Sequence, residues 1–365
     1  MTDWIQIDRD ILVRAVEMLN LVPQRAGIPA SDYVRVSAVK SGIEMALASS
    51  VSGVVRVKAP GFSSEEEFFI DRRVFVPFVL AGKTWKGDFQ TAFSDAGWLL
   101  KQGSRRAEFA IRKEKVSGYG KWRDRTGLQE VKLSEGMRRL LLASFNCATA
   151  DPAMPHLNCV YLGGQLVLAT NQVVLFLGLN KRTDKLRFPF PVEVIPLLGE
   201  GLVDAVGLDG DRVILDCGLG FLEGSVSAIA QQSFPKKAIV TQVKAGRDWP
   251  LLAKLPAKPL SKLMARLVDY LSGVRREDWM LRLELGNGKL KAIIKVAQGR
   301  FEELMVATTV KREGVVEWPL EMVRPVLEYM GRAESEIRIR VDEEKQTPYL
   351  VSGGGIELMV ARKKV

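Results

Sequence analysis

The chain has 365 residues, enough for two or three domains with cores of their own, and 47% hydrophobic with 26% charged residues is an ordinary globular balance. Lys and Arg outnumber Asp and Glu by 53 to 43, a net charge of +10 that suits a polyanionic partner, while the 8% aromatic residues sit mostly inside apolar runs and so disfavour single-strand binding by base stacking. No apolar run reaches the roughly 18 residues that span a bilayer, Met1-Thr2-Asp3-Trp4 does not read as a signal peptide, and Cys147, Cys159 and Cys217 form no metal or redox spacing while their odd count argues against a disulfide framework, so a cytoplasmic protein without a membrane partner is expected.

Asp8 to Leu21 reads as an amphipathic helix, with Ile11, Leu12, Ala15, Val16 and Leu19 on one face and Arg9, Arg14 and Glu17 on the others. A second helix, short or kinked by Pro77, is expected over 71–80. Strands follow at Phe89 to Phe93, Trp98 to Lys101 and Ala107 to Ile111, separated by Ser94-Asp95-Ala96-Gly97 and by Gly103. A polar link runs from Gly118 to Arg125. The next helix opens at Leu133-Ser134, with Ser134 a good N-cap, Met137, Leu140, Leu141 and Phe145 apolar, and Arg138 and Arg139 beside them. Another proline-bearing helix is expected over 191–198, around Pro196. Strands follow at Val203 to Leu208, Arg212 to Leu215 and near Gly224 to Ala228. A polar and proline-rich link is expected from Val243 to Pro259. The third set begins with a helix from Leu260 or Ser261, carrying Leu263, Met264, Leu267, Val268 and Leu271 on one face and Lys262 and Arg266 opposite. It continues with a helix over 318–327 around Pro325, and with strands at Glu336 to Val341, Tyr349 to Ser352 and Ile356 to Arg362.

The order of elements therefore recurs three times at a period of about 120 residues. Each copy reads helix, strands, helix, then three strands, and each is large enough for its own core. The expected architecture is α+β: three tandem domains, 1–125, 126–246 and 247–365, each with two helices on antiparallel sheet. The helices of every copy carry Arg or Lys away from the apolar stripe, a basic lining suited to sequence-independent phosphate contact.

Several stretches resemble the bacterial replicative sliding clamp family, the β subunit of DNA polymerase III. Asn158-Cys159-Val160-Tyr161-Leu162 and Leu166 to Leu175 are similar to the family's Asn-Gly-apolar stretch and its Ala-Thr-Asp-Gly-x-Arg-Leu strand, with Cys159 for glycine and Asn171-Gln172 for Asp-Gly. Ser233-Phe234-Pro235-Lys236-Lys237 resembles Arg-Phe-Pro-Asp-Tyr, and Leu358 to Arg362 resembles the terminal Met-Pro-Met-Arg. The resemblance covers essentially the whole chain and is most marked over residues 130 to 365.

The resemblance implies a homodimer of three-domain chains joined head to tail into a ring, with helices inside and sheets outside. It implies double-stranded DNA in the hole, and DNA polymerase and clamp loader held outside through short peptide motifs. Arg14, Arg25, Arg72, Arg73, Lys83, Lys86, Arg138, Arg139, Lys262, Arg266 and Arg324 would line the hole. A peptide pocket would use Thr170, Val173, Val174, Leu175, Met322, Leu350, Met359, Val360, Ala361 and Arg362. Phe109 and Ile111 of one chain would face Tyr270 and Leu271 of the other. The chain departs from the family in its basic charge, in Pro319 and Met322, and in the added Lys363-Lys364-Val365.

No catalysis, cofactor or metal is implied. The single histidine, His156, would have to serve any Ser-His-Asp triad, and it reads as structural. No Gly-x-x-x-x-Gly-Lys-Ser/Thr loop is present, and Gly353-Gly354-Gly355 sits between two strands as a turn. The acidic runs Glu65-Glu66-Glu67 and Asp342-Glu343-Glu344 read as solvated loops. The competing reading is a basic, repeat-built nucleic-acid scaffold that does not close into a ring.

Overall fold

A computed structural model of the protein describes residues 4–64, 67–119, 129–131, 133–149, 151, 153–179, 187–199, 201–271, 279–296, 299–307, 309–333 and 336–362. The chain divides into two compact units, Met1–Leu133 with Glu200–Ser225, and Ser134–Gly199 with Val226–Val365.

In the first unit the helix Arg9–Asn20 begins at Asp8, whose carboxylate accepts the Ile11 N–H (2.9 Å). Leu12, Val13, Ala15, Val16, Met18 and Leu19 are buried. The helix lies on the strand Val51–Lys58, where a Cβ on Gly53 would come within 2.9 Å of Leu222 and of Val22. A side chain there would crowd Leu222 on the next strand and Val22 just past the helix. The second helix, Arg72–Ala81, holds Pro77 inside it and packs beside the first.

Two antiparallel sheets complete this unit. One has four strands in the order Ile5–Ile7, Phe89–Phe93, Gly97–Gln102, Arg105–Ala110. The other has eight, in the order Phe68–Asp71, Tyr33–Val39, Gly42–Ala48, Val51–Lys58, Gly220–Ser225, Arg212–Asp216, Ala205–Asp209, Gln129–Val131. Strands expected in the second copy thus continue the sheet of the first. The last of them lies at Gly220–Ser225 instead of near 224–228, because Ser227 caps a short helix, Ala228–Ser233, and ends the extended run.

In the second unit the helix Glu135–Ser144 starts at Ser134, which accepts the Met137 N–H (3.2 Å) as expected. The proline-bearing segment Val192–Gly199 is a 3-10 helix, and Pro325 lies inside the α-helix Leu320–Arg332. The helix Leu320–Arg332 packs against both Glu135–Ser144 and Ala257–Tyr270.

A nine-stranded antiparallel sheet runs Arg187–Pro191, Cys159–Gly163, Leu166–Thr170, Val174–Leu179, Ile356–Val360, Tyr349–Gly353, Glu336–Arg340, Leu251–Pro256, Thr309–Val310. A four-stranded sheet runs Gly299–Val306, Lys289–Val296, Met280–Gly286, Gly314–Pro319.

The link expected over Val243 to Pro259 is ordered structure. It holds the end of a helix, Lys236–Gly246, the strand Leu251–Pro256 and the first turn of the helix Ala257–Tyr270. Proline is tolerated in that first turn, so Pro259 does not delay the helix to residue 260.

Candidate nucleic-acid and peptide interfaces

The basic residues divide by burial and by partner. In the first unit Arg14 is exposed on its helix, and Lys86 is exposed just after the second helix; neither makes an ion pair among the described residues. Arg73 is exposed and pairs with Asp71 (2.6 Å), whose carboxyl it holds below the usual range chiefly by hydrogen bonding. Lys83 pairs with Glu17 (2.8 Å). Arg25 is exposed in the turn after the first helix, its backbone bonded to Ser31 Oγ (3.1 Å).

Arg72 behaves differently. It is buried, and its guanidinium donates to the carbonyls of Ser31 (3.3 Å) and Asn20 (3.0 Å) and to Asn20 Oδ1 (3.2 Å). Burial pushes it below the usual arginine range. Placed with the lining residues by sequence, Arg72 instead ties two helices together and is not presented to a polyanion.

In the second unit the three adjoining helices bring Arg138, Arg139, Lys262, Arg266 and Arg324 onto one helical layer. Arg139 pairs with Glu135 (2.8 Å), Arg324 with Glu328 (3.5 Å) and Arg266 with Glu303; Lys262 is exposed and makes no ion pair among the described residues. Such exposed pairs are worth about 0–1 kcal/mol each and yield readily to a phosphate.

The proposed pocket residues separate by sheet face. Directly opposed residues in antiparallel strands share a face, and neighbours along a strand alternate. Thr170 stands opposite Leu175, Leu175 opposite Met359, and Met359 opposite Leu350, so four of the expected residues form one row across four strands. Val174 and Val360 are paired in the next row and face the other way. That second face carries the helix Glu135–Ser144, whose Leu140 closes on Gly178. Val174 and Val360 are buried against that helix, and on the first face Thr170, Leu350 and Met359 are buried as well.

At the strand end, Ala361 N–H donates to Val173 O (2.9 Å), and Val173 is 42% exposed. Asn171 Oδ1 accepts from the amides of Val173 (3.1 Å) and Val174 (2.9 Å), which turns the chain through Gln172 at φ 72°. Met322 is half-buried, with its sulfur beside the Asn171 carboxamide. The Arg362 guanidinium lies 5.0 Å over the Tyr349 ring, on the opposite side from Met359.

The sequence did not single out the element above the Met359 row. The helix Lys236–Gly246 packs on that face, and Gly246 abuts Leu350 and Met359. Its signal was weak, because only Ile239 and Val243 mark an apolar stripe between lysines and small residues.

The residues expected to join two chains are also redistributed. Phe109 is buried in its own unit, with ring centroids 5.5 Å from Phe75, 5.7 Å from Phe78 and 6.2 Å from Trp98. Leu271 is completely buried and Ile111 half-buried. The Tyr270 side chain lies outside the described residues. Phe109 thus has ring partners inside its own unit, and Leu271 is buried in its own.

Among the described residues each sheet ends in two edge strands, and two of these edges matter for assembly. Arg105–Ala110 ends the first unit's four-stranded sheet and Gly299–Val306 ends the second unit's, and the latter carries Leu304 at 65% exposure. Among the described residues no cluster of three His, Cys, Asp or Glu could hold a metal ion, and no helix is long and apolar enough to cross a membrane.

This arrangement of sheets and helices is the DNA sliding-clamp fold. It matches, over 99% of this chain and all of that one, the DNA polymerase sliding clamp from Caulobacter crescentus, with a TM-score of 0.71 and 15% identity. The DNA polymerase III β subunit of Thermotoga maritima matches with a TM-score of 0.73 and 14% identity over 99% of each chain. That of Pseudomonas aeruginosa matches with 0.69 and 18% over the whole of both. No protein-family model and no curated protein matches the sequence.

Proposed function

We propose that the chain is a DNA sliding clamp: a non-catalytic processivity factor that closes as a head-to-tail homodimer around duplex DNA. Each chain would supply three clamp domains, near 1–125, 126–246 and 247–365. The observation that carries this reading is the pattern of strand edges. Within the chain, Val51–Lys58 pairs with Gly220–Ser225, and Val174–Leu179 with Ile356–Val360, so two joints between successive copies are made by continuous sheet. Among the described residues Arg105–Ala110 and Gly299–Val306 are end strands of the two four-stranded sheets, whose other ends are Ile5–Ile7 and Gly314–Pro319. An unpaired edge is a liability that a protein covers or pairs. Joining these two edges between chains repeats the internal joint, and a heterologous contact that closes gives a ring. The exposed Leu304 on one edge supports its being covered.

DNA contact would fall to the exposed Arg14, Arg73, Lys83, Lys86, Arg139, Lys262 and Arg266, with Arg25, Arg138 and Arg324 beside them. Weak, salt-dependent phosphate contacts suit a ring that is retained by topology and has to slide. Polymerase and loader peptides would dock against Leu175, Leu350 and Met359, with Val173, Ala361 and Met322 at the open end. Apolar anchors in a small groove dominate binding of that kind. Sedimentation equilibrium tests the assembly. A mass of twice 40.5 kDa is expected, and a chain that stays at 40.5 kDa at all concentrations would favour an open scaffold.

A further inference from the structure

The helix Lys236–Gly246 lies on the strands Leu166–Thr170, Val174–Leu179 and Ile356–Val360, with Ile239, Val243 and Gly246 buried. A Cβ on Gly246 would stand 3.1 Å from Leu350 Cδ2, 3.3 Å from Met359 Cε and 3.3 Å from Trp249 Cζ3. Three apolar side chains therefore converge on one point, and the Trp249 ring folds back onto the end of its own helix.

Beside that point Arg247 makes a two-pronged ion pair with Glu357, through Nε (2.7 Å) and Nη2 (2.6 Å). Glu357 stands two residues before Met359 on the same strand and so shares its face. Its side chain is 13% exposed, so the carboxylate depends on Arg247 for much of its solvation. The chain leaving the helix is tied down by Arg340, which donates to the Trp249 carbonyl (3.0 Å), and by the Val341 N–H, which donates to the Pro250 carbonyl (3.0 Å). The other end of the helix is held by Lys236 over the Tyr161 ring (3.9 Å), which itself stacks on Phe234 (5.7 Å).

We propose that this helix end is a built-in cover on the peptide groove, with Gly246 and Trp249 occupying the place of an apolar peptide anchor over Leu350 and Met359, and with the Arg247–Glu357 pair as its latch. The inference rests on the peptide-groove reading given above. A partner then competes with a segment of the chain itself, and its apparent affinity is lowered by the fraction of molecules in which the cover is open. The helix start has no side-chain N-cap at Pro235, and the outer face carries Lys237, Ala238, Gln242 and Ala245 in solvent.

Charge reversal tests the latch in the full-length protein. Arg247→Glu and Glu357→Arg are made singly and together, and Trp249→Ala removes the occupant without touching the pair. Two readouts are taken: binding of a fluorescein-labelled hexapeptide with two apolar residues at its C-terminal end, and amide hydrogen exchange across residues 236–246. Each single reversal is expected to tighten the peptide about fivefold and to speed exchange, the double reversal to return both towards the parent, and Trp249→Ala to tighten the peptide. Unchanged affinity in the single variants, with the peptide bound by all, would overturn the cover and leave the groove standing. If exchange responds but neither the parent nor any variant binds the hexapeptide, the groove reading itself fails and the cover loses its role.

Discussion

The carboxamide nitrogen of Asn171 lies 3.3 Å from the sulfur of Met322, joining the turn after the strand Leu166–Thr170 to the helix Leu320–Arg332. The same side chain closes the turn through the amides of Val173 and Val174, so one residue sets the position of the exposed Val173 and of the half-buried Met322 together.

Asn171→Ala is expected to cost about 1 kcal/mol, the usual net worth of a hydrogen bond, and to weaken peptide capture. Met322→Ala should lower capture further while leaving sedimentation unchanged. Isothermal titration with a polymerase-derived peptide checks both. Capture unaltered in the Met322 variant would remove that residue from the groove.

Phe109→Ala is expected to destabilise the first unit by about 3–5 kcal/mol, as the loss of a buried phenylalanine usually does. Its ring stands against Phe75, Phe78 and Trp98, so the loss belongs to the chain's own core. Urea unfolding monitored by tryptophan fluorescence should show it at protein concentrations above and below the dimer range. A loss confined to the dimeric range would return Phe109 to the contact between chains.

The basic residues should fall into two kinds. Arg14→Ala with Lys262→Ala is expected to lower the slope of log affinity against log salt for duplex DNA by about 1 per residue, without changing thermal stability. Arg72→Ala should do the reverse, destabilising the fold with little change in slope, because its donors bind Asn20 and Ser31. Equal salt slopes for the Arg14–Lys262 variant and the parent would take the helical layer out of DNA contact.

The thiols supply a pH prediction. Burial pushes the Cys159 thiol up to about 12, against a smaller opposing effect of the Lys236 charge, and burial also raises Cys147. An unfolded cysteine ionises near 8.5, so between that pH and about 12 the folded chain holds the extra proton. The stability this gives is fully present below about pH 8.5 and is lost as the pH climbs towards the folded value. Native protein at pH 8 should resist a thiol-specific disulfide reagent and react fully once unfolded. Rapid labelling of the folded chain would contradict the burial.

Much of this fold is legible in the residues. The apolar spacing from Leu12 to Leu19, the N-cap at Ser134 and the glycine-marked strand triplets all express local rules that tertiary context leaves in force. The helix Lys236–Gly246 is not, because it is stabilised by the sheet beneath it more than by its own pattern. The strand Leu251–Pro256 is bounded by prolines and resembles a linker until Glu336–Arg340 pairs with it. For the site, four of the residues named from the resemblance, Thr170, Leu175, Leu350 and Met359, lie in one row across the sheet. Position along the chain cannot tell them from Val174 and Val360, whose face depends on the register of the pairing strands. Arg72 and Arg73 are adjacent and alike in sequence, and only the packing of two helices buries the first.

Encirclement is the central claim, and retention on DNA of different topology tests it most directly. Protein assembled on a nicked circular plasmid should stay bound through gel filtration in high salt and should run off once a restriction enzyme linearises the plasmid. Loss from circle and linear DNA at the same rate would contradict a closed ring.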